Sequence, residues 1–131
     1  MQNRRKDERF SGLSEKIEKE KDIKKEINKI KGFLKNIEPK VLKGVTSVID
    51  NVAYMAVTLK ELRDEIQVEG VLTEYQNGEN QFGVKKSPKI EIYNTMVKNY
   101  NSSMKLLLDL LPKNKEITID DGFEEFVESK N

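Results

Sequence analysis

The sequence predicts a mainly α fold: a helical hairpin or bundle of about three helices, with one short β-hairpin between the second and third long helices. Apolar residues recur at spacings of three and four along three long segments, as in helices that bury one face. Asn77-Gly78 lies between two short segments rich in β-branched and aromatic residues, which is a hairpin signal. Prolines and glycines stand near the expected ends of these elements.

The composition excludes several common kinds of functional site. The chain of 131 residues has 24 basic and 23 acidic residues, a formal net charge of +1, and neither cysteine nor histidine. It therefore lacks the usual ligands of zinc and haem, disulfides, Cys and His nucleophiles and histidine pH switches. No apolar run approaches the roughly 18 to 20 residues that span a bilayer. The sequence predicts one soluble, cytosolic domain with no membrane partner.

The near-neutral total hides a charge gradient. Residues 1–46 hold 14 basic and 8 acidic residues, 47–112 hold 7 and 9, and 113–131 hold 3 and 6. A basic leading third indicates an anionic ligand. Besides Met1, the one large apolar residue among residues 1–12 is Phe10. Its apolar surface is too small to offset the entropy that is lost when this segment becomes ordered. We predict that 1–12 form a mobile basic arm in front of a helical core domain, 13–112.

The first helix is predicted from about residue 13 to 36. Its apolar residues have spacings of 4, 3, 4 and 3, and they are Ile23, Ile27, Ile30, Leu34 and Ile37. We call this row the isoleucine seam. Lysines lie between the seam positions, and the acidic residues become rare after Glu26. Two interpretations stand side by side: a solvated helix whose charges pair at i, i+4, and a surface that binds phosphates.

A second, longer helix is predicted from Pro39, which fits a first helical turn, to Gly70, a natural C-terminal stop. Gly44 lies inside this helix and costs about 1 kcal/mol relative to alanine. Either the helix breaks there or packing overrides the cost. The predicted apolar face consists of Val41, Leu42, Val45, Val48, Ile49, Val52, Met55, Ala56, Leu59, Leu62 and Ile66.

The β-hairpin is predicted at about 71–85, with a four-residue loop that places Tyr75 opposite Phe82. Ser87 and Pro88 are the expected cap and first-turn residue of a third helix, which Pro112 stops. Its apolar stripe is expected to pack against the second helix instead of forming a ligand platform. The stripe consists of Tyr93, Met96, Val97, Tyr100, Met104, Leu107, Leu108 and Leu111.

The last segment, 113–131, is predicted to be an acidic tail. Phe123, Phe126 and Val127 have i, i+3, i+4 spacing, so one helical turn would place them on one side with carboxylates around them. Such a segment commonly folds onto the groove of a partner protein. Alternatively, Phe123 and Phe126 dock on their own domain.

Nothing in the pattern predicts catalysis. The carboxylates fall on helix faces of mixed charge, without sign of two converging in a desolvated cleft. Glycine-rich phosphate loops are absent, since Gly12, Gly32 and Gly44 stand alone. We therefore expect no enzyme activity, no catalytic residue, no cofactor and no metal site.

The order of features from about 30 to 112 resembles the small subunits of tailed-phage terminases. A long helix ends in glycine, a short hairpin follows, and a Pro-initiated helix carries a Tyr and a Leu-rich end. The matching segments are 51–62 (NVAYMAVTLKEL), 69–70 (EG), 74–78 (EYQNG), 86–88 (KSP), 93–96 (YNTM) and 110–112 (LLP). After Pro112 the chain turns acidic, where many relatives continue into another turn.

The resemblance implies a non-enzymatic DNA-packaging factor in the cytoplasm of the host cell. Such subunits form homo-oligomeric rings, bind double-stranded viral DNA, and recruit or regulate the large terminase subunit, which holds the ATPase and nuclease. The resemblance supplies no DNA-reading side chains, so the DNA contacts are predicted from charge alone. They are Arg4, Arg5, Lys6, Arg9, Lys24, Lys25, Lys31, Lys35, Lys40 and Lys43. Phe123, Phe126 and Val127 are the predicted large-subunit contact.

The competing hypothesis is a helical adaptor or regulator that binds proteins and no nucleic acid. In that case the isoleucine seam of the first helix would form a coiled coil.

Overall fold

The computed structural model describes residues 2–112, and the side chains of Arg9 and of 11–112. The fold is mainly helical, with one two-stranded antiparallel hairpin, as the sequence predicts. The elements are α1 (Gln2–Phe33), α2 (Pro39–Gly44), α3 (Thr46–Glu69), β1 (Leu72–Gln76), β2 (Phe82–Lys86) and α4 (Pro88–Leu108).

Helix α3 is the centre of the fold, with α1 and α4 packed against it. Both neighbours run antiparallel to α3. Lys19 in the middle of α1 pairs with Glu61 near the end of α3, whereas Ile30 near the end of α1 packs with Ile49 near the start of α3. Likewise, Lys89 at the start of α4 reaches the end of α3. The fold therefore has two ends: one with α2, the other with the hairpin.

The hydrophobic core lies toward the α2 end. In this core the isoleucine seam packs against α3 and the last turn of α4. Each of these helices has a face on which apolar residues recur at helical spacing. Ala53, which lies outside the apolar face predicted for this helix, is fully buried, since α3 is covered on two sides. The cluster consists of Ile30, Leu34, Ile49, Val52, Ala53 and Leu107.

Two helix boundaries differ from prediction. Helix α1 begins at Gln2, so the backbone of the predicted arm continues the helix instead of preceding it. The Gln, Arg, Lys and Glu residues of this segment are good helix formers, so local propensity favours the helix. The predicted second helix is interrupted at Val45, which separates α2 from α3. The glycine at position 44 thus marks a break.

The hairpin is confirmed, but its predicted register is wrong by one residue. Tyr75 lies opposite Gly83, and Gln76 lies opposite Phe82. The loop has five residues, not four, because the amide of Asn77 donates a 2.7 Å hydrogen bond to the carbonyl of Gln81. Gly78 has a φ of 81°, a left-handed conformation that suits glycine. The loop closure therefore sets the strand pairing.

Helix α4 begins as predicted. Ser87 is its N-cap, and the side-chain oxygen accepts a 3.3 Å hydrogen bond from the amide of Lys89, while Pro88 occupies the first turn. The apolar stripe packs against α3, with Leu107 fully buried. Leu108, which the spacing assigns to the stripe, is exposed because it is one position, about 100°, beyond the packed face.

At the hairpin end, the Lys89 ammonium links α4 to α3. It lies 2.9 Å from Glu69 and 3.2 Å from Glu65. The hydrogen bonds that it donates to these carboxylates raise the pKa of Lys89 above its usual value of 10.5. The bond to Glu69 contributes most, and the bond to Glu65 contributes next. Lys19 makes a similar link between α1 and α3, since it lies 3.2 Å from Glu61 and 4.6 Å from the centre of the Tyr54 ring.

Within residues 2–112, no helix is both long and apolar enough to cross a bilayer.

Candidate nucleic-acid interface

The basic residues in the second half of α1 follow one side of the helix. Lys24 and Lys31 are seven residues apart, so they lie on the same face, two turns and about 10 Å from each other. Lys21 extends this row by one further turn. All three side chains are exposed, because the isoleucine seam directs a different face of α1 toward α3. We call these three residues the lysine row.

The lysine row leads to a second group of lysines at the α2 end. Lys31, Lys40 and Lys43 line one shallow depression, together with Pro39, Leu42 and Thr46. Lys31 belongs to α1, whereas Lys40 and Lys43 belong to α2, so the turn that joins the two helices brings these lysines to one place. We call this surface the basic depression. Its lining combines the apolar side chains of Pro39 and Leu42 with three lysines.

The lysines of the row and the depression make no ion pair with any carboxylate of residues 2–112. The ion pairs of that region involve Lys19, Lys89 and Lys105. In particular, no i, i+4 ion pair forms along α1 among the described side chains. No ion pair within the described residues therefore neutralises these lysines, and phosphate is a ligand that their ammonium groups can bind.

The predicted DNA contacts do not all lie at one place. Arg9 is exposed and lies 22 residues before Lys31 on α1, which corresponds to about 33 Å. Lys25 is exposed on a neighbouring face of α1, and Lys35 is exposed in the turn that follows it. The side chains of Arg4, Arg5 and Lys6 lie outside the described residues, as do Phe123, Phe126 and Val127.

The structure also contains an apolar surface that the sequence pattern did not bring to notice. Leu72, Phe82 and Val84 project from the same face of the hairpin, since their register alternates with Thr73 and Gly83 on the other face. All three are more than half exposed, and Phe82 reaches 74%. We call them the hairpin patch. The period of two along each strand is the signal that could have found it.

Among residues 2–112, no cluster of three potential metal-binding side chains is present. The chain matches no protein-family model, no curated protein and no solved structure.

Proposed function

We propose that this chain is a terminase small subunit: a non-catalytic DNA-packaging factor of the host cytoplasm. It would bind double-stranded viral DNA, assemble into a ring and recruit or regulate the large subunit. The proposal is supported by the resemblance of residues 30–112 and by the surface of the α2 end. The observation that carries it is the continuity of the lysine row with the basic depression, free of carboxylate partners within the described chain.

Lysines of this kind bind phosphate as point charges, and they release counterions from the duplex when they do so. The affinity should fall with added salt, with a slope proportional to the number of phosphates neutralised. Because each subunit contributes few contacts, a ring would repeat them around its axis and raise the affinity through effective concentration.

The hairpin patch supports self-association. An isolated two-stranded hairpin is marginally stable in water, and here both strands have solvent-exposed side chains along most of their length. Burial of Leu72, Phe82 and Val84 between subunits would remove their apolar surface from water and stabilise the hairpin at the same time. The patch lies at the end opposite to the basic depression, so both surfaces can be occupied together.

The central test is duplex DNA binding by charge-reversal variants. Replacing Lys24, Lys31, Lys40 and Lys43 with glutamate should weaken binding at least about tenfold and reduce the salt slope. The control replaces exposed lysines on α4, Lys98 and Lys105, with glutamate. Equal losses from both sets of variants, measured by fluorescence anisotropy, would contradict the assignment.

The tail is the proposed contact for the large subunit, since Phe123, Phe126 and Val127 combine apolar side chains with surrounding carboxylates. Deletion of the residues after Lys115 leaves every member of the hydrophobic core in place. The shortened chain should still assemble but should no longer retain the large subunit in a pull-down. Unchanged recovery of the large subunit would rule out this role of the tail.

The alternative is a helical adaptor without nucleic-acid binding. The seam proposed for its coiled coil is occupied within the chain, because Ile30 is buried against α3 and Ile23 and Ile27 pack against the same cluster. An adaptor would have to use other apolar residues of α1, of which Leu13 and Ile17 are exposed. Light scattering separates the two: a dimer indifferent to DNA favours the adaptor, and a large closed oligomer favours the terminase subunit.

A further inference from the structure

The acidic tail starts at the same end of the fold as the basic depression. Helix α4 runs toward the α2 end, and after it Leu110 and Leu111 pack against the hydrophobic core. Leu42, which lines the depression, packs against that same core. Pro112 therefore lies at the α2 end of the fold, where the basic depression also lies.

The charges of the two segments are complementary. Residues 120–128 contain five carboxylates and no basic residue: Asp120, Asp121, Glu124, Glu125 and Glu128. The depression presents Lys31, Lys40 and Lys43 without carboxylate partners among residues 2–112. Pairing them would neutralise the three lysines and leave two of the five carboxylates unpaired.

The apolar groups match as well. The lining of the depression includes Pro39 and Leu42, and Val41 of the same helix is exposed. Phe123 and Phe126 supply large apolar side chains between the carboxylates of the tail. Aromatic anchors with acidic neighbours suit a surface that combines apolar side chains with lysines.

The length of the chain permits this contact within one molecule. Seven residues lie between Pro112 and Asp120, and the eight Cα–Cα steps that join them can span up to about 26 Å. The distance from α4 across α3 to α1 corresponds to two interhelical spacings, or about 16–20 Å. The length of the segment therefore permits residues 120–128 to reach the basic depression with the helices in their present positions.

We propose that residues 120–128 dock on the basic depression of their own chain and compete there with nucleic acid. The tail acts as a built-in anionic competitor, and its displacement exposes the lysines. The regulatory consequence rests on the proposed function, whereas the docking itself does not. Engagement of Phe123 and Phe126 by a partner protein would then release the DNA-binding surface.

Zero-length carbodiimide cross-linking tests the docking without DNA, because it joins carboxylates to amines that are in contact. The full chain should yield links from Asp120–Glu128 to Lys31, Lys40 or Lys43, identified by mass spectrometry. Lys85 and Lys86 on the hairpin, at the opposite end of the fold, are the control amines and should not link to the tail. An equal mixture of ¹⁴N and ¹⁵N chains should give links within chains of one isotope. Absent links, equally frequent control links or mixed-isotope links would each overturn the proposal.

DNA affinity tests the competition. The variant Phe123→Ala/Phe126→Ala keeps the net charge, so any gain in affinity cannot come from long-range attraction. It should bind duplex DNA about 3- to 10-fold more tightly than the unmodified chain, because a short tether keeps its ligand at millimolar effective concentration. Substitution of Asp120, Asp121, Glu124 and Glu125 with their amides should give a larger gain.

The matched control for charge neutralises four exposed carboxylates far from the depression: Asp64, Glu74, Glu79 and Glu91. Tail variants that gain no more affinity than this control would overturn the competition. Cross-links to the depression in a chain that binds no DNA would reject the proposed function and retain the docking. DNA binding that depends on Lys31 and Lys40, without cross-links and without any effect of the tail, would support the proposed function and reject the docking.

Discussion

The ring of Tyr75 lies directly over Gly83 on the neighbouring strand. A Cβ atom added at Gly83 would lie 2.5 Å from the Cζ atom of Tyr75, closer than side chains tolerate. Lys85 follows on the same face, with its ammonium 5.9 Å from the ring centre. The absence of a side chain at Gly83 thus makes room for the aromatic ring, which in turn covers the glycine from water.

This pair predicts an NMR signature. The ring should shift the Hα resonances of Gly83 upfield, and Tyr75→Leu should remove the shift while preserving an apolar side chain. Gly83→Ala should displace the ring and weaken the hairpin, with little effect on the helices, because neither residue belongs to the core. Tyr93→Leu on α4 is the control. A Gly83 shift that survives loss of Tyr75 would contradict the geometry.

The hairpin patch should control assembly. In the proposed ring, replacing Leu72, Phe82 and Val84 with serine is expected to give a smaller species, because the association between subunits loses apolar burial. The helical content should stay unchanged, since the three side chains are exposed in the single chain. Light scattering measures the mass, and Leu13→Ser/Ile17→Ser tests the other exposed apolar pair. Assembly unaffected by the triple substitution would exclude the patch.

The leucines of α4 should differ sharply in their effect on stability. Leu107 is 0% exposed and Leu106 is 48% exposed, although the two are adjacent. Leu107→Ala should lower the free energy of unfolding by about 2–5 kcal/mol, through lost burial and the cavity left behind. Leu106→Ala should cost less than about 1 kcal/mol. Urea denaturation followed by circular dichroism measures both changes. Similar losses of unfolding free energy in the two variants would contradict this position of the core.

Two glycines should respond to alanine in opposite directions. Gly70 ends α3 with φ 85° and ψ 179°, a conformation open essentially to glycine, so Gly70→Ala should cost about 1–3 kcal/mol. Gly44 lies in helical conformation with open space where the methyl group of an alanine would lie, so Gly44→Ala should stabilise the chain by about 0.5–1 kcal/mol. Thermal unfolding of the two variants provides the comparison. Changes in stability that have the same sign would contradict the prediction.

Lys89 should contribute to stability in a pH-dependent way. Its pKa is raised in the folded state by Glu69 and Glu65, so its contribution is complete below the unfolded pKa, near 10.5. That contribution should be lost as the pH rises above this value. The difference in melting temperature between the unmodified chain and Lys89→Gln should therefore be constant from pH 7 to 9 and shrink above pH 10. A difference that grows at alkaline pH would have the wrong sign.

Local chemistry explains which elements could be predicted. Ser87 and Pro88 identify the start of α4, because a cap and a fixed φ act on the adjacent turn alone. The hairpin follows from the Asn-Gly pair and its flanking residues, but its register depended on a loop hydrogen bond between Asn77 and Gln81. A difference of one residue in the loop decides which side chain faces Tyr75.

In the candidate interface, too, the sequence indicates the type of residue, and the tertiary structure decides where each residue lies. The sequence identified Lys24, Lys31, Lys40 and Lys43 as candidates by charge alone, together with Arg9. It could not indicate that Lys31, Lys40 and Lys43 line one depression or that Arg9 lies about 33 Å away along α1. Charge is a property of each residue, whereas proximity between α1 and α2 depends on the turn that joins them.

The amino-acid sequence by itself determined the helical class, the position of the hairpin, the charge gradient and the acidic composition of the tail. These properties depend on short spacings and on residue type. The tertiary structure decided that α3 occupies the centre, that the isoleucine seam is buried within the chain, and that lysines of two helices converge. Those outcomes depend on contacts between residues far apart in the sequence, such as Ile30 with Ile49, whose geometry no local pattern specifies.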